Sequence, residues 1–250
     1  MAKTVADVMK MVKENEVKFV DFRFTDTRGK QQHTTVPVSH FDEDKFISGH
    51  AFDGSSIAGW KGIEASDMQL IPDPNSANID PFFEETTLIL TCDVIEPSDG
   101  KAYDRDPRSI AKRAEAYLKA SGLGDTAYFG PEPEFFIFDG VRWSTEPNHT
   151  FYEIEEYEAP WNTGSKLEGG NRGHRPTVKG GYFPVPPVDS TQDMRAEMSL
   201  ILESLGIPVE VFHHEVAGAG QNEIGTRFST LVERADWTML QKYVIHNVAN

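Results

Sequence analysis

The chain has 250 residues, of which 38% are hydrophobic and 26% are charged. This size and composition allow a substantial buried core and predict one large folded domain or two smaller ones. The 40 acidic and 24 basic side chains give a formal net charge of −16, which repels phosphodiester backbones and anionic lipids and so argues against nucleic-acid or membrane-surface binding.

The cysteine usage and the N-terminus indicate a cytoplasmic protein. The single cysteine, Cys92, lies in an apolar run, so we expect it to pack as a small buried hydrophobe without an internal disulfide. The sequence begins with an amphipathic stretch, and no window approaches the ~18 apolar residues of a membrane span. We therefore expect a cytoplasmic location and no membrane partner.

Residues 1–103 are predicted to form a small α+β domain that begins with a helix. Apolar residues between Val5 and Val12 recur at helical spacing. Runs of β-branched and aromatic residues predict strands at 17–24, 31–38, 68–71 and 86–95. We place the domain boundary after residue 103, because Pro97 and Gly100 interrupt the pattern.

Residues 104–250 are predicted to form a second domain. Asp106 and Pro107 have the residue types of a helix N-cap and a first helical position. Beyond this helix we expect a strand at 127–138, a polar glycine-rich stretch at 139–181, a helix at 191–205, strands on both sides of 218–220, and a helix from about 230. The last helix still runs at Asn250, so we expect the sequence to be cut short there.

Four glutamates in two predicted strand segments indicate a cation site. Glu132 and Glu134 are two residues apart, and a strand projects such residues from one face. Glu215 and Glu223 would lie about 26 Å apart on one straight strand, but a reversal at 218–220 would set them nearly opposite each other, at roughly 5 Å. Each glutamate alone is most simply a solvated surface charge, whereas four in apolar strand contexts favour metal binding.

The four glutamates indicate which metal ions the site would bind. Carboxylate ligands suit the hard cations Mg²⁺ and Mn²⁺, which commonly join protein carboxylates to nucleotide phosphates. Zinc is disfavoured because the sequence lacks the ordered His-Glu-x-x-His helix motif. The sequence also lacks the P-loop and the glycine-rich dinucleotide-binding motif, so an ATP site would depend on metal ions to hold the phosphates.

Five groups of motif residues occur in order along the chain. They are Phe52-Asp53-Gly54-Ser55-Ser56; Gly130-Pro131-Glu132-Pro133-Glu134-Phe135; Glu168-Gly169-Gly170-Asn171-Arg172-Gly173-His174-Arg175-Pro176; Gly180-Gly181-Tyr182-Phe183; and His213-His214-Glu215 with Gly220-Gln221-Asn222-Glu223. With near-continuous similarity over residues 15–250, they resemble the bacterial type I glutamine synthetase family. Segment 161–176 resembles the subgroup that is regulated by adenylylation.

The resemblance implies an α+β architecture, with an N-terminal β-grasp domain followed by the first part of an antiparallel catalytic barrel with flanking helices. It also implies a homo-oligomer, a dodecamer of two stacked hexameric rings with active sites between neighbouring subunits, and an adenylyltransferase as a partner. The implied substrates are ATP, L-glutamate and ammonium, with two or more Mg²⁺ or Mn²⁺ ions per active site.

The resemblance further implies roles for individual residues. The metal ligands would be Glu134, Glu215 and Glu223 for the first ion and Glu132 for the second. The residues that contact substrates would be Asp53 and Ser56 for ammonium, Tyr182 for catalysis with Asp53, and Glu210 and Phe228 for ATP. Asp53 would come from the adjacent subunit and accept a proton from ammonium, although alone its loop would be an ordinary turn. Simple strand alternation places Glu210 on the opposite face from Glu215, so its nucleotide role requires a bulge or a twist.

The implied reaction is ATP-dependent ligation of ammonia to the γ-carboxylate of L-glutamate through γ-glutamyl phosphate, which is glutamine biosynthesis for nitrogen metabolism. Two alternatives stay open: a ligase of the same superfamily that uses another amine, and a non-catalytic assembly or regulatory fragment. The second arises because the family's later metal ligands, substrate arginines and adenylylated tyrosine fall beyond Asn250. We therefore expect the 250-residue chain alone to be inactive.

Overall fold

The computed structural model describes residues 2–164, 173 and 175–250. Motif 168–176 therefore lies outside the described residues except for Gly173, Arg175 and Pro176. The chain divides into two compact units, the first made of residues 1–129 and 229–239 and the second of residues 130–228 and 240–250. The domain boundary that we placed after residue 103 stays a prediction.

The order of helices and strands confirms the predicted α+β class. In chain order the elements are α1 (Val5–Glu14), β1 (Phe19–Thr25), β2 (Gln31–Pro37), α2 (Lys45–Ser48), β3 (His50–Asp53), β4 (Asp67–Pro72), β5 (Asn78–Ile79), β6 (Thr87–Ile95), α3 (Pro107–Ser121), β7 (Tyr128–Phe129), β8 (Glu134–Phe136), β9 (Gly140–Glu146), β10 (His149–Glu155), α4 (Gln192–Ser204), β11 (Val209–His214), β12 (Gln221–Thr226), β13 (Ser229–Thr230) and α5 (Leu231–Ala249). Within the described ranges, no helix is both long enough and apolar enough to cross a membrane.

The first unit is organised around a six-stranded sheet. Its strand order is β2-β1-β6-β4-β3, with β5 also paired to β6. β1 and β6 are parallel, whereas the other pairs are antiparallel. Phe22 of β1 and Leu88 of β6 are fully buried in the core of this unit, which also includes Val8 of α1. Cys92 is buried in the same core, as predicted, and this burial raises the pKa of its thiol.

Helix α3 begins where the sequence predicts. The Asp106 side chain accepts hydrogen bonds from the backbone N–H groups of Arg108 and Ser109, which satisfies two of the free donors of the first turn. The buried Arg108 guanidinium also lies within hydrogen-bond distance of Asp93 at 2.6 Å and of Asp236, at the start of α5, at 3.0 Å. These ion pairs join α3, β6 and the first part of α5 within the first unit.

The second unit contains the antiparallel sheet β11-β12-β8, and α4 packs on β11. The predicted helix at 191–205 and the strands on both sides of 218–220 are confirmed. The single strand predicted at 127–138 is wrong: it is broken into β7 and β8. Pro131 and Pro133 lie between these strands, and proline lacks the N–H that a strand donates to its neighbour.

The stretch at 139–181, for which we predicted no strands, contains the hairpin β9–β10. Its register places Trp143 opposite Tyr152, and both side chains are exposed. Both faces of the hairpin carry polar and apolar residues, so the alternation that marks a half-buried strand is weak here. This is why the sequence pattern missed the hairpin.

Candidate metal centre

Strand pairing brings two of the predicted ligands into one row. β12 is the middle strand, with Glu223 opposite Glu134 of β8 on one side and opposite His213 of β11 on the other. Directly opposed residues point to the same face of a sheet, with Cβ atoms roughly 4.5–5.5 Å apart. The row Glu134, Glu223 and His213 therefore projects from one face.

Glu215 and Glu223 come close together, as predicted, but they are not directly opposite each other. The backbone N–H of Glu215 bonds to the carbonyl of Gln221 at 2.9 Å, so the reversal centres on Gly218 and not on Ala219. Glu215 follows His213 by two residues and comes near Glu223 along a diagonal. One donor atom each from His213, Glu215 and Glu223 lie within 4.8 Å of one another, which is a spacing that one cation can bridge.

His213 is a candidate ligand that the sequence analysis did not select. Its Nδ1 lies 3.8 Å from Oε1 of Glu215, and its Nε2 lies 3.6 Å from Oε2 of Glu223. The signal was present in the sequence, because residues 213 and 215 are two apart on one strand and share a face. We name the group His213, Glu215, Glu223 and Glu134 the carboxylate cage.

The charges of the cage act on one another. Burial raises the pKa of Glu223, the nearby His213 lowers it, and the negative charges of Glu215, Glu132 and Glu134 raise it further, with a net rise. Glu132 lies outside β8 and is exposed, yet it contributes to this repulsion. A divalent cation would relieve the repulsion, and a set of carboxylates with one imidazole suits Mn²⁺ or Mg²⁺ better than zinc.

Gln221 orients the Glu134 side chain of the carboxylate cage. Its side-chain Nε2 donates to Oε2 of Glu134 at 2.5 Å, and its Oε1 accepts from the backbone N–H of Ala217 at 2.6 Å. The sequence analysis overlooked this residue, because a glutamine beside a glycine turn has no distinctive pattern. The amide fixes Glu134 relative to the turn that carries Glu215.

Tyr182 lies beside the carboxylate cage. Its ring is stacked on Phe183 at 3.9 Å and meets the His213 ring edge-on at 5.6 Å between centroids. Tyr182 is 55% exposed. The structure thus brings Tyr182 into the same neighbourhood as the predicted metal ligands.

A β-bulge occurs at Glu210. Val209 pairs with Thr226 and Val211 pairs with Gly225, so Glu210 is an extra residue on β11. Glu210 and Val211 are both exposed, which strict alternation would not allow. The irregularity that a nucleotide role for Glu210 required is therefore present in the strand.

The other predicted nucleotide contact, Phe228, lies just beyond β12. Its side chain is 54% exposed, and its Cβ lies close to Gly130, where an added Cβ would be at 3.5 Å. An exposed aromatic face of this kind can stack on a base. Its role in ATP binding stays a prediction.

Asp53 and Ser56 lie in the first unit, at the end of β3. Asp53 accepts hydrogen bonds from the backbone N–H of Ser55 at 2.8 Å, from the Ser55 hydroxyl at 2.6 Å and from the Ser56 hydroxyl at 2.8 Å. Bonds from Ser55, then Ser56, lower the pKa of this exposed carboxyl. Asp53 is therefore ionised at neutral pH, which is what cation binding requires. Ser55 is a third member of the loop that the sequence analysis did not select.

Comparison with known proteins covers most of the chain. The family described as "Glutamine synthetase, catalytic domain" matches residues 104–250, and "Glutamine synthetase, beta-Grasp domain" matches residues 16–97. Among solved structures, the Plasmodium falciparum glutamine synthetase has a TM-score of 0.87 and 25% identity, covering 100% of this chain and 50% of that chain. The predicted β-grasp domain and antiparallel catalytic sheet are thereby confirmed.

Curated relatives are similar along the whole sequence. The chain is 57% identical over 243 residues to glutamine synthetase of Escherichia coli K12, covering 97% of this chain and 52% of that protein. It is 58% identical over 247 residues to glutamine synthetase of Vibrio cholerae, covering 99% and 53%. It is 76% identical over 250 residues to the 3-hydroxylaminophenol mutase of Cupriavidus pinatubonensis, covering 100% and 53%. The chain thus spans about half the length of these relatives, and it belongs to the glutamine synthetase family.

Proposed function

We propose that the full-length protein is a glutamine synthetase that joins ammonia to the γ-carboxylate of L-glutamate at the expense of ATP. The observation that carries the proposal is the carboxylate cage, in which His213, Glu215 and Glu223 converge within 4.8 Å beside Glu134. An acid-rich cage of this kind is suited to phosphoryl transfer, where negative charge accumulates on the transferring group.

In this proposal the residues of the second unit bind the nucleotide and its metals. Glu134, Glu215 and Glu223 would hold a first Mg²⁺ or Mn²⁺, and Glu132 would contribute to a second. When bound, such ions neutralise phosphate charge and so favour transfer of the γ-phosphoryl group to glutamate. Glu210 at the bulge and the exposed Phe228 would contact the nucleotide.

Ammonium would bind at the Asp53 loop of a neighbouring subunit. The ionised Asp53 carboxylate would hold the cation and accept its proton, with help from Tyr182, while the Ser55 and Ser56 hydroxyls keep the carboxylate oriented. The low pKa of Asp53 in the isolated chain favours cation holding over proton acceptance. A neighbouring subunit that covers the exposed carboxylate would raise this pKa by desolvation and improve Asp53 as a base.

The proposal extends to the oligomeric state, the location and the regulation of the full-length protein. We expect a dodecamer with shared active sites, located in the cytoplasm, that makes glutamine for nitrogen metabolism and is modified by an adenylyltransferase. The chain itself covers about half of its relatives' length, so the remaining ligands for the second ion and for glutamate would come from sequence beyond Asn250. On this basis we expect no activity from residues 1–250 alone.

The test is formation of glutamine by the full-length protein with ATP, L-glutamate, ammonium and Mn²⁺ or Mg²⁺. Glutamine and ADP should appear in equal amounts, and chelation of the metal should abolish both. If the protein were a ligase for another amine, the assay would show turnover with polyamines or ethanolamine and none with ammonia. The absence of any amide product would contradict both ligase readings.

A second candidate function follows from one relative. The chain is 76% identical over its full length to a protein named 3-hydroxylaminophenol mutase. The same full-length preparation should therefore be incubated with 3-hydroxylaminophenol in the absence of ATP and ammonium. Consumption of that compound without glutamine formation in the first assay would favour the mutase, and both activities together would show that one protein carries the two.

A further inference from the structure

Glu158 is a buried carboxylate that lies outside the carboxylate cage. Its side chain is 0% exposed. Oε1 accepts hydrogen bonds from the backbone N–H and the hydroxyl of Ser190, each at 2.6 Å. Oε2 lies 2.8 Å from Nε2 of His214 and accepts a bond from the backbone N–H of Gly220 at 3.1 Å. Four donors thus converge on one carboxylate that water does not reach.

These contacts keep Glu158 in its charged form. Burial alone would raise its pKa, but hydrogen bonds from His214 and Ser190 outweigh burial and lower the pKa to about 2. A buried ionised group that is satisfied in this way holds its partners in fixed positions, because losing any of them leaves a charge or a donor unpaired.

Two of the partners are the two ends of the turn that shapes the carboxylate cage. His214 immediately precedes Glu215, and Gly220 immediately precedes Gln221, whose amide holds Glu134. Within the turn, Gly218 has φ +140° and Gly220 has φ +72°, which are conformations that glycine adopts freely and that other residues rarely adopt. Hydrogen bonds from the Ala217 N–H to Oε1 of Gln221 and from the Gln221 N–H to the Gly218 carbonyl close the turn from within, whereas Glu158 contacts both of its ends from outside.

His214 also contacts the backbone next to Tyr182. Its Nδ1 faces the carbonyl oxygens of Gly181 at 2.7 Å and Glu215 at 3.0 Å. Gly181 precedes Tyr182, and a Cβ at residue 181 would clash with the Glu215 carbonyl. One imidazole therefore connects the Glu158 carboxylate to the backbone on both sides of the site.

We propose that Glu158 is a positioning residue for the metal centre: it holds both ends of the turn between Glu215 and Gln221, so that the cage carboxylates converge on one cation. The proposal rests on the proposed function only in taking the cage to be a divalent-cation site. Partners that lie behind the ligands typically contribute about 10- to 100-fold to metal affinity. Glu158 would act through His214 and Gly220 and not as a ligand.

The test is direct titration of Mn²⁺ into the full-length protein without substrates, with free Mn²⁺ followed by electron paramagnetic resonance. The variant E158Q should raise the dissociation constant about 10- to 100-fold, because an amide N–H₂ would face the donors of His214 or Gly220. The matched control is E155Q. Glu155 lies three residues before Glu158 and is exposed at the end of β10, so the control should bind Mn²⁺ like the parent.

A folding defect is separated from a positioning defect by two further measurements. Far-UV circular dichroism and thermal unfolding without metal establish whether E158Q is folded. In folded E158Q, saturating Mn²⁺ should restore most of kcat, whereas a general loss of structure would not be rescued. If E158Q does not fold, S190A removes one bond to the same carboxylate and should weaken Mn²⁺ binding by about 2- to 10-fold.

Unchanged Mn²⁺ affinity in folded E158Q, or in S190A where E158Q is unfolded, would overturn the positioning role. A parent protein that binds Mn²⁺ tightly and forms no glutamine would contradict the proposed reaction while leaving the role of Glu158 intact. A parent that fails to bind Mn²⁺ would contradict both.

Discussion

His213 is the one side chain of the carboxylate cage that does not add negative charge to it. Its two ring nitrogens lie 3.8 Å from Glu215 and 3.6 Å from Glu223. It is therefore placed either to bind the cation or to orient the two carboxylates that do. In both cases the imidazole offsets the mutual repulsion of the cage when the cation is absent.

We expect H213A to weaken Mn²⁺ binding by about tenfold or more, because groups that orient or complete a ligand set contribute about that much. The measurement is equilibrium Mn²⁺ binding by H213A and by the parent under the same conditions. The control is H149A, on the exposed face of β10, which should bind like the parent. Equal affinity in H213A and H149A would remove His213 from the site.

The proposed role of Asp53 in holding ammonium depends on its negative charge. In the full-length protein, D53N should lower glutamine formation at subsaturating ammonium by about 10²- to 10⁴-fold, the usual contribution of a general base, and should raise the KM for ammonium. The KM for ATP should stay unchanged. The control is D67N, because Asp67 lies opposite Asp53 on β4 and is exposed, but does not belong to the serine loop. A similar loss in both variants would point to surface charge and not to a specific ammonium site.

At the scale of elements, Arg108 holds α3 against the sheet and the first part of α5. Its guanidinium pairs with Asp93, Asp73 and Asp236, and only 8% of its side chain is exposed. R108M would leave Asp73 and Asp236 without this cation, whereas Asp93 would keep its ion pair with Lys112. Removing one partner of a buried ion pair typically destabilises a protein by about 3–5 kcal/mol.

The matched control for R108M is R113M, five residues further along α3. Arg113 is half exposed and lies 3.9 Å from the exposed Asp104, so its loss should change stability by about 0–1 kcal/mol. Urea unfolding of both variants measures the difference. A free energy of unfolding that falls equally in the two variants would argue against a structural role for the Arg108 ion pairs.

Glu156, in the segment after β10, should make stability depend on pH. Burial, then the charge of Glu158, raises its pKa to about 7. Between pH 4.5, near the usual pKa of a glutamate, and about pH 7, Glu156 is protonated more often in the folded state than in the unfolded state. Its contribution to the free energy of unfolding therefore falls as the pH rises through that window. Above about pH 7 the folded protein carries the full cost of a buried charge.

E156Q removes this titration, so it should be more stable than the parent at pH 8 by on the order of 1–3 kcal/mol. At pH 5 the two proteins should be nearly equal. Urea midpoints at the two pH values provide the measurement, with E155Q, an exposed neighbour, as the control. The same pH response in the parent, E155Q and E156Q would show that Glu156 titrates normally.

At the scale of the whole molecule, the proposed active site draws Asp53 from one subunit and the carboxylate cage from another. This arrangement predicts complementation between two inactive variants of the full-length protein. Co-assembly of D53N and E215Q subunits in equal amounts should restore roughly one quarter of the parent activity, because one interface in four then pairs two intact halves. Each variant assembled alone should be inactive. No recovery after mixed refolding would place both residues in one subunit's own site.

Much of the fold and of the site follows from local sequence. Helix α3 could be placed because Asp106 and Pro107 act within one turn, and β1 and β6 because both are rich in β-branched and aromatic or aliphatic residues. The four glutamates were selected because strand alternation and residue type depend on neighbours in the chain. Family membership likewise follows from the order of the motifs.

The tertiary structure decided what depends on contacts between distant residues. Pairing across the glycine turn set Glu223 opposite His213, since the reversal centres on Gly218, and the bulge at Glu210 arises from the same pairing. Glu158 meets His214 and Gly220 across 56 and 62 residues. Local patterns carry no information about such partners, because the free energy that selects a register or a buried carboxylate's donors is realised only when the chain has folded.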